Sequence, residues 1–237
     1  MAKNPKTKYG VWSLLNSYSV LRVLLEGDID FVVFDLEHGY WRRDQLATAV
    51  DLCQKNGKYA VARIPNATQE WVQLAYDANV DVLQIAGIRS QTDIDDLIVV
   101  TNYPPVGNLG FSPWTPQGYS HNLSVDRNPK ISVQIEDIAL LNKFIDGSLR
   151  FSPKIVSIFI GRYDLSVSMG IPGQIENVEI MDLIKSAQGI ALDLGLTLGT
   201  VSNTGLDAQK LQKIGTSFIS LGSDVQRLLI QTGLEES

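Results

Sequence analysis

A (β/α)8 barrel, the TIM-barrel fold, is predicted by two observations. Eight short apolar runs alternate with amphipathic helical stretches, and ionisable residues gather at the C-terminal ends of several of those runs. The runs lie near Gly10 to Ser13, Phe31 to Asp35, Tyr59 to Arg63, Val82 to Ile85, Ile131 to Glu136, Ile155 to Ile160, Leu196 to Thr200 and Phe218 to Leu221. They are rich in β-branched and aromatic residues, and eight is the number a closed parallel barrel requires. Between them the helical spacing recurs. Arg43 to Lys55 places Leu46, Val50 and Cys53 or Gln54 on one face, and Thr68 to Asn79 does the same with Trp71, Leu74, Ala75 and Ala78.

One segment breaks the rhythm. Tyr103 to Asn128 is rich in proline and glycine and carries Trp114 and Tyr119. Loops of that length in a compact domain usually serve a function, so a lid or an intersubunit arm is expected. No linker, repeat or low-complexity tract divides the chain, and residues 1–237 read as one domain.

Composition narrows the function classes. The 237 residues are 44% apolar, enough for a sizeable core. A net charge of −6 and a pI near 4.9 argue against a nucleic-acid partner, which needs a basic face to neutralise phosphates. The single cysteine, Cys53, falls in a helical stretch and has no partner for an internal disulfide, which fits a reducing compartment. The basic start, Met1 to Lys8, lacks the apolar stretch of a signal peptide, and no window has the apolar length of a membrane span. The expectation is a cytoplasmic protein with no membrane partner.

The chemistry is concentrated at the strand ends. Asp35-Leu36-Glu37-His38 follows the run Phe31 to Phe34, and packing alone does not explain three ionisable groups there. A histidine beside carboxylates is available as a general base near neutral pH; its plainer reading is a surface-loop histidine. His121, in the polar run Ser120-His121-Asn122 of the long loop, fits the plainer reading better. Arg63 closes an otherwise apolar strand and must meet an anion, either a protein carboxylate or the developing oxyanion of a substrate. Fourteen residues on, at the end of the next helix, Asp77 is either a solvated residue or a partner that orients His38. Glu136 and Asp164 end consecutive strands, which in a parallel sheet lie about 5 Å apart. Two carboxylates so close repel unless a cation lies between them or one is protonated, and their hard oxygens suit Mg2+ or Mn2+. The alternative is that each caps the helix after its strand, and spacing alone leaves both readings open.

Taken in order, Gly10-x-Trp12, Asp35-x-Glu37-His38, Arg63, Asp77, Tyr103-Pro104-Pro105-x-Gly107, Gln134-x-Glu136 and Gly161-x-x-Asp164-Leu165-Ser166 resemble the HpcH/HpaI aldolases, metal-dependent class II pyruvate aldolases of the phosphoenolpyruvate/pyruvate superfamily. The resemblance spans about residues 9 to 225. It implies a barrel that exchanges its C-terminal helix with a neighbour and assembles as a hexamer, a trimer of dimers. It further implies that Glu136 and Asp164 hold Mg2+ or Mn2+, with Co2+ as a further option, that pyruvate chelates the metal, and that Asp35 and Glu37 lie behind this shell. By the same resemblance His38 is the base, paired with Asp77; Arg63 stabilises the enolate; and backbone amides of the aspartate turn hold the pyruvate carboxylate, with Trp12 and Gln134 in the substrate pocket. The implied substrates are a ketoacid and an aldehyde. No lysine ends a strand where a Schiff base would form, which argues against a class I aldolase. Other outcomes left open are a lyase or decarboxylase acting on oxaloacetate or a CoA thioester, and a homologue retained for binding or assembly.

Three departures bear on substrate. Arg162 stands where the family has proline, with Tyr163 after it, and this places a cation and an aromatic ring beside the carboxylate-binding turn as expected substrate contacts. Leu109 replaces a family arginine in Gly107-Asn108-Leu109-Gly110, and Gln84-Ile85-Ala86-Gly87 lacks the usual proline.

Overall fold

The computed structural model describes residues 6–116, 119 and 128–231. Its strands are β1 (Lys8–Ser13), β2 (Phe31–Asp35), β3 (Tyr59–Ile64), β4 (Val82–Ile85), β5 (Lys130–Ile135), β6 (Ile155–Ile160), β7 (Thr197–Ser202) and β8 (Phe218–Ser223). All eight pair in parallel and in sequence order, and β8 closes onto β1. The helices are α1 (Tyr18–Leu25), α2 (Arg43–Lys55), α3 (Gln69–Asp77), α4 (Gln91–Val100), α5 (Ile138–Ile145), α6 (Arg162–Ser168), α7 (Val178–Asp193), α8 (Gly205–Ile214) and α9 (Asp224–Gln231). The expected closed α/β barrel is the observed one, and His121 lies outside the described residues.

The strands read as nearly continuous apolar runs because both of their faces are buried. Val32, Phe34, Ala60, Ala62, Ile64, Leu83 and Ile85 join the helices in the large outer core. Trp12, Phe31, Val33, Val61, Phe159 and Val201 form a smaller cluster inside the barrel. Other interior positions are polar: Gln84, Ser132, Gln134, Ser157 and Ser220 are all buried. In α2 the buried face is Leu46, Ala49, Val50 and Cys53, as the periodicity predicts. In α3 the expected Leu74 and Ala75 are buried, as is Ala78 just past the helix end, with Trp71 partly buried against the core; Val72 and Tyr76 are buried beside them.

Two local devices shape the mouth. Buried Asp224, at the start of α9, accepts the backbone N–H groups of Leu14 and Leu15, and so ties α9 to the loop after β1. Helix α9 packs against β1 and β8 of its own barrel. In the long loop, Gly107 lies so close to the end of α4 that a Cβ there would fall 2.2 Å from the Val99 carbonyl oxygen, and Leu109 N–H bonds to Asn102 O at 3.0 Å. Among the described residues, no helix is long and apolar enough to cross a membrane.

At the opposite end of the barrel, half-buried Lys154 donates to Thr101 O and to Asn102 Oδ1, and its Nζ lies 5.5 Å from the Tyr76 ring centroid. Burial pushes its pKa down to about 8 from 10.5. Between those values the unfolded chain binds a proton that the folded chain does not, so stability rises with pH across that window and gains nothing below it. The thermal midpoint of the wild type should therefore gain on that of Lys154→Met between pH 8 and 10.5. Melting curves in a pH series check this; a constant difference would contradict it.

Candidate active site at the C-terminal mouth of the barrel

The C-terminal strand ends surround a cavity of about 490 Å³, lined by Trp12, Asp35, His38, Arg63, Gln134, Tyr163 and Asp164 among others. Chemistry in this fold belongs at that end. A larger cavity of about 750 Å³ opens at the opposite end among Lys8, Phe31 and Phe218, and none of the ionisable residues singled out above lines it. The smaller cavity is therefore the candidate site.

One wall is built on Arg63. Asp35 and Arg63 are register partners on β2 and β3, so their side chains emerge together on the inner face. Arg63 Nε and Nη2 donate to the two Asp35 oxygens at 2.9 and 2.6 Å, a bidentate pair. Its guanidinium carbon lies 4.4 Å from the Trp12 ring centroid, and its Nε lies 3.4 Å from Glu37. The strand does not continue past Asp35, so the expected alternation of Asp35, Glu37 and His38 across its faces does not occur. Instead Asp35 Oδ1 also accepts the N–H groups of Glu37 and His38 at 3.0 and 3.2 Å and turns the chain there. Burial pushes the Glu37 carboxyl above its usual range, against the pull of Arg63 and His38.

The second wall carries the carboxylates. Glu136 is not a helix cap: Asp137 accepts Ala139 and Leu140 N–H and caps α5. Glu136 Oε2 accepts from Gln134 Nε2 at 2.6 Å, and Gln134 Oε1 in turn accepts from Gln84 at 2.7 Å. Glu136 Oε1 accepts a long contact from Gly87 N–H at 3.3 Å and lies 3.6 Å from Arg89 Nη2. Gly161 caps the start of α6 with no room to spare, since a Cβ there would fall 3.1 Å from Glu136 Cβ. Asp164, in the first turn of α6, opens into the cavity. Among the described residues no group of three His, Cys, Asp or Glu gathers around a metal position. The candidate donors are thus two carboxylates, Glu136 just past β5 and Asp164 in the first turn of α6, and their hard oxygens fit a divalent ion that fills its remaining positions with water and a chelating substrate.

The sequence model of the HpcH/HpaI aldolase/citrate lyase family matches residues 8–230. The chain belongs to that family. A hydroxypyruvate/pyruvate aldolase of Agrobacterium fabrum is 24% identical over 226 residues, 93% of this chain and 84% of that protein. A 4-hydroxy-2-oxovalerate aldolase of Rhodococcus jostii is 26% identical over 243 residues, 96% and 89% of the two chains. A solved HpcH/HpaI family structure from Burkholderia cenocepacia superposes with a TM-score of 0.86 at 20% identity, covering 98% of this chain and 94% of that one. Members of the HpcH/HpaI family are carbon–carbon lyases, and the family is generally dependent on a divalent metal.

Two expectations, one drawn from a departure from the family pattern and one from the resemblance, meet a different geometry here. Arg162 does not offer its charge to the mouth. It is fully buried, and its guanidinium pairs with both oxygens of Asp207 in α8 and with the carbonyls of Val201 and Ile175. A guanidinium at the first position of α6 can reach α8, and a buried cation takes the carboxylate available there. Asp77 is not beside His38 within the chain. It ends α3, which runs away from the mouth, and accepts from Gln73 Nε2 at 2.9 Å. Leu109 is buried in the outer core and does not line the cavity.

Gln84, Arg89, Phe159, Asn203 and Gln226 stand at or behind the site without having been singled out in the sequence. A glutamine inside an apolar strand was a readable signal for Gln84. Asn203 and Gln226 are ordinary polar residues in their local sequence and acquire meaning only from the closed barrel.

Proposed function

We propose that the protein is a divalent-cation-dependent aldolase that forms or cleaves 4-hydroxy-2-ketoacids, joining or releasing pyruvate and an aldehyde. The observation that carries this reading is the gathering of His38, Arg63 and Asp164 on one cavity with Glu136 held beside it. Glu136 and Asp164 would hold Mg2+ or Mn2+, with Co2+ an alternative; when bound, the ion supplies Lewis-acid polarisation of the keto oxygen. The side chains do the rest. In cleavage, His38 takes the C4 hydroxyl proton while the C3–C4 electron pair moves toward the ketoacid. Asp35 engages Nε and Nη2 of Arg63, and the remaining nitrogen, Nη1, would donate to the oxygen that becomes negative. Trp12 holds the guanidinium plane from its face. In synthesis the steps reverse, and His38 returns the proton to the former aldehyde oxygen. The test is pyruvate release from a 4-hydroxy-2-ketoacid with Mn2+ present and then with excess chelator. Release that chelation stops supports the reading; release that chelation leaves unchanged contradicts it.

The reading includes a cytoplasmic homo-oligomer, a hexamer built as a trimer of dimers, with the long loop as an arm between copies. Support comes from Val106, Phe111 and Trp114, which are all exposed on that loop. Trp114→Glu should lower the mass measured by light scattering after gel filtration, and an unchanged mass would contradict an arm at this position.

A further inference from the structure

The larger cavity, about 750 Å³ at the strand-start end of the barrel, takes no part in the chemistry above. From its rim, wall and floor we infer that it is a second ligand site, one that takes a short-chain carboxylate with a neutral oxygen at its far end. This goes beyond the aldolase reading and does not depend on it.

The rim decides the charge of the ligand. It carries Lys6, Lys8, Lys58 and Lys130 against one carboxylate, Asp81, in a chain whose net charge is −6. Asp81 Oδ2 is already engaged, since it accepts Ala60 N–H at 2.8 Å. The lysine salt bridges among the described residues belong to Lys55 and Lys210, so none of the four rim ammonium groups is paired with a carboxylate there. Lys8 Nζ lies instead 4.1 Å from the centroid of the Tyr59 ring, and Lys58 Nζ lies 3.5 Å from Gly27 O. Like charges gathered around a low-dielectric opening raise the local concentration of anions.

The wall and floor decide the rest. Phe31, Val33, Val61, Phe159 and Phe218 line the cavity inside the rim, with Phe31 and Phe159 each against Phe218 at ring-centroid distances of 6.1 and 6.2 Å. An inorganic anion gains nothing from such a wall, whereas an alkyl chain loses its water-exposed surface there. Deeper still, Gln84, Ser132 and Ser157 are register neighbours on β4, β5 and β6, and Ser220 on β8 joins them in the lining. Ser132 and Ser220 are 1% and 0% exposed, and neither hydroxyl has a hydrogen-bond partner among the described residues. A buried hydroxyl left unpaired is costly, and a ligand oxygen at the floor relieves that cost. With no cation among these floor residues, that oxygen is neutral. From Lys130 at the start of β5 to Ser132 is two residues, roughly 6–7 Å at the usual rise, which suits a chain of about six carbons.

The test is calorimetric titration of the intact protein with 6-hydroxyhexanoate, hexanoate, hexane-1,6-diol and inorganic phosphate. 6-Hydroxyhexanoate should bind saturably, hexanoate about threefold or more weaker for want of the tip oxygen, and the diol and phosphate roughly tenfold or more weaker. Lys8→Gln combined with Lys130→Gln, both at the exposed rim, should weaken 6-hydroxyhexanoate about fivefold. Ser132→Ala combined with Ser220→Ala should abolish its advantage over hexanoate, and the lysine variant gives an independent reading if the serine variant folds poorly. Absence of binding by both carboxylates would overturn the inference. Phosphate or the diol binding as tightly as 6-hydroxyhexanoate would overturn it too, since the first leaves only a surface cluster of lysines and the second leaves the lysines without a role. An affinity unmoved in the lysine variant, or displacement of the ligand by pyruvate, would place it elsewhere on the protein and equally overturn the inference.

Discussion

Asp164→Asn should cut cation-dependent pyruvate release by roughly 10²–10³-fold, several kcal/mol of lost transition-state stabilisation. The substitution keeps the shape of the side chain and removes its charge. Among the described residues no group of three His, Cys, Asp or Glu is gathered as a ready cation site, so no further ligand stands poised to compensate. Glu136 alone has one oxygen already committed to Gln134, so the variant should lose Mn2+ affinity together with turnover. His38→Ala separates the two effects. It should lower turnover by about 10²-fold or more while Mn2+ binding, followed by calorimetry, stays near that of the wild type. Wild-type turnover in Asp164→Asn would remove that residue from the cation site, and unchanged rates in His38→Ala would return His38 to a surface role.

The largest loss of stability should come from Asp207→Ala. This change leaves the Arg162 guanidinium buried without its carboxylate, in surroundings that already leave Arg162 Nε without a hydrogen-bond partner. Breaking a buried pair from one side costs about 3–5 kcal/mol, or roughly 6–20 °C in thermal midpoint for a chain of this size. Removing both charges, as in Arg162→Met with Asp207→Leu, should recover much of that loss, because the desolvation penalty of two ions disappears with their attraction. A double-mutant cycle on thermal midpoints checks the account. Additive losses would mean that the two residues do not act as a pair.

The eight strands were legible because a barrel strand buried on both faces must be apolar almost throughout, which marks β2, β4 and β6 to the residue. Ends were less legible. The third helix was read as Thr68 to Asn79 and runs Gln69–Asp77, since its limits depend on cap geometry rather than on the apolar period. At the site, Arg63 was recognisable as needing an anion, but the choice of Asp35 follows from inter-strand register, which no local pattern encodes. The pairing of Arg162 was illegible for the same reason. Next to Gly161 it resembles a residue of the mouth, while its partner lies 45 positions away on another helix. Asp77 carried a family expectation that one chain does not satisfy, because a side chain at the end of α3 stands away from the strand ends where His38 lies.

The central claim is that this cavity makes a pyruvate enolate. Deuterium exchange of the pyruvate methyl protons, followed by NMR with Mn2+ or Mg2+ and then with excess chelator, tests it without any aldehyde. The account predicts exchange with the cation, loss of exchange on chelation, and loss of exchange in Asp164→Asn. No exchange by protein that demonstrably binds the cation would contradict it.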